Sequence, residues 1–335
     1  MQNKRKLLLT LLKGVVTLGI VILLVNRLGW DDIRKTVVTA RPIWLAAALL
    51  LFLVSTLIGV FQWRVLLHNR GIPLLFGRSC RLYMIGMFFN NFVLGGIVGD
   101  VLKIASIRSR DGKGMAGLAA TFLDRFAGLW AMCGFAVGGS LVLLHRQGTL
   151  SSGKIGTAVI ALFAAFLLFA GIMTFLVCKP LQRMVFFLLD LLPASGRLRL
   201  HEILSEMLIE AHDVHLLFIV AALSTMIQVL RIGVHMLAAL SLGLLTADNF
   251  HYFFIFVPFI AMLMTIPLPF GVREAAGGTL FALAGFPEDA AYVMGFLASL
   301  VGLAASFIGG LFYITDRTIS REQHENHIDR HPAVQ

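Results

Sequence analysis

The chain has 335 residues, of which 58% are hydrophobic and only 14% charged; its mean hydropathy is +0.87 and its net charge +10. Soluble domains carry about 25% charged residues, so the composition excludes an ordinary soluble protein and describes an integral membrane protein. The positive balance fits lysines and arginines in cytoplasmic loops beside anionic lipid rather than a nucleic-acid binder.

Lys4-Arg5-Lys6 precedes an apolar run over 7–25. That run is long and has no small-residue cleavage site, so it reads as a retained first helix with a cytoplasmic N-terminus. After a short linker holding Trp30, Asp31, Asp32 and Pro42, a second span covers 43–62. The basic segment 64–81 leads into the stretch 88–103, which is apolar but interrupted by Asn90, Asn91, Gly95, Gly96 and Gly99 and closed by Asp100 and Lys103. Spans at 115–144 and 156–178 follow, then a connection over 179–215 with an interfacial piece at 184–192. Residues 216–245 span again. Residues 251–286 hold a second broken stretch, 266–278, with Pro267, Pro269 and Gly271, and 290–314 is the last span. Residues 1–316 are read as one all-α, polytopic membrane domain and 317–335 as a polar cytoplasmic tail. His324, His327 and His331 in that tail read as solvated rather than metal-binding. Cys80, Cys133 and Cys178 lack the paired spacing of a metal or disulfide framework.

Backbone that breaks at membrane depth must be buried in protein or line a wet cavity, because lipid cannot satisfy its N–H and C=O groups. Paired Gly/Pro-broken segments in two halves of a membrane protein point to a substrate site. Charge decides how the two stretches run. If both cross fully, cytoplasmic and external segments carry 12 Lys/Arg each, Arg273 aside. If both are re-entrant hairpins from opposite faces, the split is 18 to 6, which the positive-inside rule favours. The expected architecture is therefore six spans plus two re-entrant segments, as an inverted repeat would give, with both termini cytoplasmic.

Charged residues inside apolar runs cost about 2.5–3.5 kcal/mol each on insertion scales and mark cavities or pathways. Asp124-Arg125 lies ten residues into its span, about 15 Å deep. Gln228, Arg231 and His235 share one helix face. Arg273-Glu274 follows the proline break, and Asp100 could cap a short helix toward Arg108. Each adjacent acid–base pair could be structural glue, but arginine stays charged in proteins and its planar fork suits phosphate. Arg125, Arg231 and Arg273 are the expected phosphate ligands, with Lys103, Asn90, Asn91 and the backbone of Gly95, Gly96, Gly99 and Gly271. Asp100, Asp124 and Glu274 would orient the arginines or relay protons. Asn90 and Asn91 could instead bond freed backbone groups. No metal or organic cofactor is implied.

Phe-Phe-Asn-Asn-Phe-x-x-Gly-Gly-x-x-Gly-Asp-x-x-Lys (88–103), Leu123-Asp124-Arg125 and Pro269-Phe270-Gly271-Val272-Arg273-Glu274-Ala275-Ala276 resemble the signatures of the lysylphosphatidylglycerol synthase transmembrane-region family. The resemblance implies a flippase-like protein of a bacterial cytoplasmic (inner) membrane. In the multiple peptide resistance factors of that family the region is fused to a soluble aminoacyl-transferase and is associated with moving lysyl-lipid across the bilayer. Only about twenty residues follow the last span here, so lipid lysylation by this chain alone is not expected. The combined expectation is a lipid-binding protein, and more a transporter than an enzyme. It would move an anionic phospholipid or polyprenyl phosphate, with a lipid-synthesis enzyme as a possible partner. The alternatives are an intramembrane transferase with Asp100 or Glu274 as base, or a non-transporting partner of a lipid-synthesis enzyme.

Overall fold

The computed structural model describes residues 30–92, 97–147, 178–190, 213–263 and 272–315, with a few positions between 160 and 174 and between 201 and 208. Every regular element among them is an α-helix: α1 (Trp30–Thr39), α2 (Pro42–Asn69), α3 (Phe76–Phe92), α4 (Val98–Asp111), α5 (Gly114–Gln147), α6 (Lys179–Asp190), α7 (Val214–Ser241), α8 (His251–Leu263), α9 (Val272–Leu283) and α10 (Glu288–Thr315). Helices α2, α5, α7 and α10 are long and apolar enough to cross a membrane. They coincide with four of the six spans read from sequence; the spans at 7–25 and 156–178 lie almost wholly outside the described residues. The presumed linker before α2 is itself partly helical, since α1 occupies it and Thr36 Oγ1 donates to Asp289 Oδ2 at 3.0 Å.

A few contacts set the directions. The Arg41 N–H donates to the Ser241 carbonyl at 2.9 Å, so α2 begins where α7 ends, and the Thr36–Asp289 bond puts the start of α10 at that same face. At the opposite face Lys113 Nζ donates to the Gly71 carbonyl at 2.9 Å. We call the Gly71–Lys113 side the near face and the Arg41–Ser241 side the far face. Asp213 starts α7 at the near face by accepting the Leu216 N–H at 3.0 Å, an ordinary N-cap.

The first broken stretch makes a hairpin. Gly86 and Gly99 bring the backbones of α3 and α4 into contact, and a Cβ on Gly99 would fall on the Gly86 carbonyl. Nearer the face, the Lys103 ammonium lies 4.7 Å from the centre of the Tyr83 ring. These pairings make α3 and α4 antiparallel, while the Gly71–Lys113 bond joins the open end. Arms of 17 and 14 residues reach about 25 and 21 Å, short of the ~30 Å hydrocarbon core.

The second broken stretch does the same from the far face. The Phe281 ring of α9 lies tilted against Phe253 and edge-on to Phe256 of α8, with centres 4.8 and 5.1 Å away, and Gly277 lies against Ile260. These contacts make α8 and α9 antiparallel; the stretch with Pro267 and Pro269 lies outside the described residues. The chain thus enters and leaves on one side at each break, and the two hairpins point toward each other, as the re-entrant reading expects.

α10 supports both hairpins. Its far half carries α9, with Ser299 Oγ donating to Glu274 Oε1 at 2.6 Å. Its near half carries α3: the Gly309 backbone meets Met84, Gly310 meets the Phe88 ring, and Asn91 Nδ2 donates to Ser306 Oγ. Gly128, Gly139, Gly309 and Gly310 each have a neighbour within 3.2 Å of an added Cβ, so they mark close helix contacts, whereas Gly138 has none within 4 Å. The buried apolar residues form one core around each hairpin, with Phe253, Phe256 and Phe281 on the far side and Trp63, Leu66, Leu67 and Ile107 on the near side. α6 joins the near core through Phe186 and leaves Met184, Phe187 and Leu188 exposed, in keeping with an interfacial helix.

Single cysteines replacing Asn69 and Arg108 should label from the same side of a sealed vesicle, and one replacing Asp248 from the other. Labelling of positions 69 and 108 from opposite sides would show that α3 and α4 do not form a re-entrant hairpin.

Candidate functional site

The polar residues buried within the near half converge where α2, α3, α4, α5 and α7 meet. At the first hairpin's tip, Asn90 Oδ1 accepts the Gly99 N–H at 2.8 Å. Helix α4 therefore has its N-terminal donor satisfied from across the hairpin. Asp100 makes no side-chain cap to its own helix, contrary to the sequence reading. With Asn90 taking that task, Asp100 turns toward α5. Its Oδ2 accepts from Arg125 Nε at 2.9 Å and pairs with Nη2 at the same distance, while Oδ1 pairs with Lys103 Nζ at 2.8 Å.

Lys103 and Arg125 share a carboxylate but not an environment. Lys103 is 3% exposed, with its ammonium 4.7 Å from the Tyr83 ring centre and 5.2 Å from that of Trp63. Trp63 is held in turn by Nε1 donating to Thr121 Oγ1 at 3.1 Å. Two ring faces and a carboxylate occupy the ammonium, so Lys103 is not a contact at the membrane edge. The Arg125 side chain is 52% exposed, and its guanidinium is open beyond the edge that Asp100 holds.

Asp124 is not the partner of Arg125. Its Oδ1 accepts from Gln62 Nε2 at 3.0 Å, and Gln62 Oε1 accepts from Ser224 Oγ at 3.0 Å, a buried chain linking α5, α2 and α7. Arg231, one helical turn beyond Gln228 on α7, lies over the Phe52 ring at 5.9 Å. Its Nε is buried with no hydrogen bond among the described residues. Phe52 also faces Gly302, midway along α10 between Ser299 and Ser306, so the Arg231 guanidinium sits at the depth where the two hairpin tips approach. Arg125, Arg231, Asp100 and Asp124 all lie within electrostatic reach of the Tyr83 hydroxyl.

Two of the three expected arginines lie on helices of this region, Arg125 of α5 on Asp100 and Arg231 of α7 over Phe52. Arg273 opens α9 on the other hairpin, its side chain outside the described residues, as are Gly95, Gly96 and Gly271 altogether. Glu274 is buried on Ser299, seven positions along α10 from the Ser306 that holds Asn91, about 10 Å at 1.5 Å per residue. Asn90 bonds backbone, and Asn91 bonds a side chain of α10. Sequence reading missed Gln62, Ser224, Tyr83 and Trp63. Gln62 carried the clearest signal, an amide inside an apolar run.

The sequence profile of the lysylphosphatidylglycerol synthase TM region matches residues 10–311. The chain belongs to that family. Comparison with curated proteins returns no match. Family membership makes this a multi-pass membrane protein linked to lipid metabolism. In this family member the near-half cluster holds the cations Lys103, Arg125 and Arg231 against the carboxylates Asp100 and Asp124. If all are ionised, one positive charge is left over at membrane depth. Such a charge needs water or an anion, since lipid tails offer it nothing.

Breaking the buried part of the cluster should be costly. Asp100→Asn leaves the Lys103 ammonium uncompensated and should lower the melting temperature in detergent, with a penalty of about 3–5 kcal/mol. Adding Lys103→Met should recover most of the loss. Equal melting of the single and double variants would show that the pair is not a unit.

Proposed function

We propose that this protein moves an anionic, phosphate-bearing lipid, a phospholipid or a polyprenyl phosphate, between the leaflets of a bacterial cytoplasmic membrane. The reading rests on one observation above others: a half-exposed guanidinium, Arg125, held at membrane depth with its inner edge on Asp100 and its outer edge open. A phosphate accepts from such a fork in two places and restores neutrality to the cluster. Arg231 offers a second guanidinium at mid-depth, and Arg273 a third at the start of α9. Between the opposed hairpin tips, Asn91, Ser299 and Ser306 supply neutral polar groups along α10, which suits a headgroup that must pass without being trapped.

The distribution of basic residues supports a cytoplasmic near face. Arg64, Arg70, Arg78, Arg81, Arg108 and Lys113 lie toward it, against Arg34, Lys35 and Arg41 toward the far face. On this orientation Arg125 is reached through the cytoplasmic half, and the second hairpin lines the external half. Lys103 fixes Asp100, Asp100 fixes Arg125, and Gly99 lets α3 and α4 close tightly enough for that geometry.

Vesicles of zwitterionic lipid with tracer fluorescent phosphatidylglycerol should show protein-dependent exchange between leaflets, read by quenching of the outer leaflet. Arg125→Gln and Arg231→Gln should each slow the exchange at least tenfold in folded protein, and Arg231→Lys should rescue poorly because an ammonium lacks the planar fork. The Arg273→Gln, Glu274→Gln double variant should fold yet remain slow. Wild-type rates in all of these would overturn the assignment of the arginines as phosphate ligands.

A further inference from the structure

The Asp124–Gln62–Ser224 chain is not needed to hold the arginines. Asp124 is 8% exposed, Gln62 1% and Ser224 0%, and among the described residues no cation forms an ion pair with Asp124. A buried carboxylate on a spanning helix without a counter-ion is expensive as a structural device. A neutral side chain would join α2, α5 and α7 at lower cost.

The chemistry of the three side chains shows what they are suited to do. With Asp124 ionised, Gln62 Nε2 donates to the carboxylate and Ser224 Oγ donates to Gln62 Oε1, as observed. With Asp124 protonated, the Gln62 amide can turn over. Its Oε1 then accepts the new O–H, its Nε2 donates to Ser224 Oγ, and the serine hydroxyl turns to a carbonyl of its own helix. Both protonation states are hydrogen-bonded without any movement of the backbone. A carboxylate cradled by backbone N–H groups or an arginine would be satisfied only when ionised.

The groups around Asp124 make its proton answer to an anion. Tyr83 faces it from α3, Asp100 and Lys103 from α4, Arg125 from its own helix and Arg231 from α7, while α2 contributes Gln62. Helix α8 packs along the far half of α5, with Phe254 against Phe135 and Gly139, the nearer of these eleven positions beyond Asp124. Lys103, Arg125 and Arg231 are thus the cations that favour ionised Asp124, and of these Arg125 and Arg231 are the ones that a phosphate would engage. An anion seated on them competes with the carboxylate, favours its protonated form, and by linkage is held more tightly once the proton is on.

We propose that Asp124 is a proton-binding site that takes up one proton when the lipid anion engages Arg125 and Arg231 and releases it when the anion leaves. The proton comes from water on one side of the membrane and returns to water on the other, so headgroup and proton travel together. This rests on the transport reading above, but its binding half can be tested apart from transport.

The purified full chain in detergent is titrated calorimetrically with dihexanoyl phosphatidylglycerol in buffers of different ionisation enthalpy, which reports protons taken up per ligand bound. Wild type should take up close to one proton in a pH range where free Asp124 is ionised, and Asp124→Asn, which keeps an acceptor for Gln62, should take up none. If that variant fails to fold, Gln62→Leu should also abolish uptake, because Asp124 stripped of its donor stays protonated. In sealed vesicles with the membrane voltage clamped, a one-unit pH gradient should bias the wild-type leaflet distribution by up to about tenfold, and Asp124→Asn should lose the bias. Binding without proton uptake in wild type, or unchanged uptake in Asp124→Asn, overturns the proposal even if lipid moves. Proton-coupled binding with no leaflet exchange upholds the site and overturns the transport reading. No binding at all overturns both.

Discussion

A helix that stops inside a bilayer leaves donors or acceptors where no water can reach them. This protein has two such interruptions, and the arrangement of the remaining helices follows from satisfying them. Asn90 meets the first turn of α4 across its own hairpin, and Asn91 reaches Ser306. At the other hairpin Ser299 meets Glu274 in the first turn of α9. Both serines, Ser306 as acceptor and Ser299 as donor, are on α10, a helix half buried over its apolar length that carries glycines where α3 presses closest.

The same constraint explains how the charges are divided. Lys103 is enclosed by Trp63 and Tyr83, so its role is local: it compensates Asp100 and leaves that carboxylate firmly placed. Asp100 then grips Arg125 by one edge. A rigid buried pair supporting one open cation is a way to keep a long side chain in a fixed orientation, which preorganises it for a planar oxyanion. An Arg125 paired with its neighbour Asp124 would have spent its fork within one turn of α5.

Much of this was legible in the sequence, and what was not has a physical reason. The four described spans are visible as apolar runs because length and hydropathy alone specify them. The hairpins were legible through charge: placing Arg64–Arg81 and the 103–114 segment on one face is what the Gly71–Lys113 contact requires. Pairing was not legible. Asp124 and Arg125 are adjacent in the chain, but successive helical residues point about 100° apart. The partner of each comes from another helix, Gln62 from α2 and Asp100 from α4. Lys103 closes an apolar stretch in the sequence, yet a hairpin that turns back carries its closing residues inward against the preceding arm. The cap role of Asp100 failed for a related reason, since Asn90 supplies the acceptor from across the turn.

The positions of Arg125 and Arg231 also argue against a purely architectural cluster. A structural ion network in a membrane gains by being closed, with every charge matched and every donor bonded. The Lys103–Asp100 pair matches its charges at 2.8 Å. Arg125 remains half exposed, and Arg231 leaves Nε without a partner among the described residues while resting on a ring that offers only weak compensation. These two open guanidinium groups lie on α5 and α7, the helices joined by the Asp124–Gln62–Ser224 chain. Deficient cations next to a carboxylate that can be satisfied in either protonation state form a system with two low-energy charge states. One has the acid ionised on Gln62, with Arg125 on Asp100 and Arg231 over Phe52. The other has the acid neutral and the arginines facing something else. A closed network has no second state to adopt, and a binding site that must release its ligand requires one.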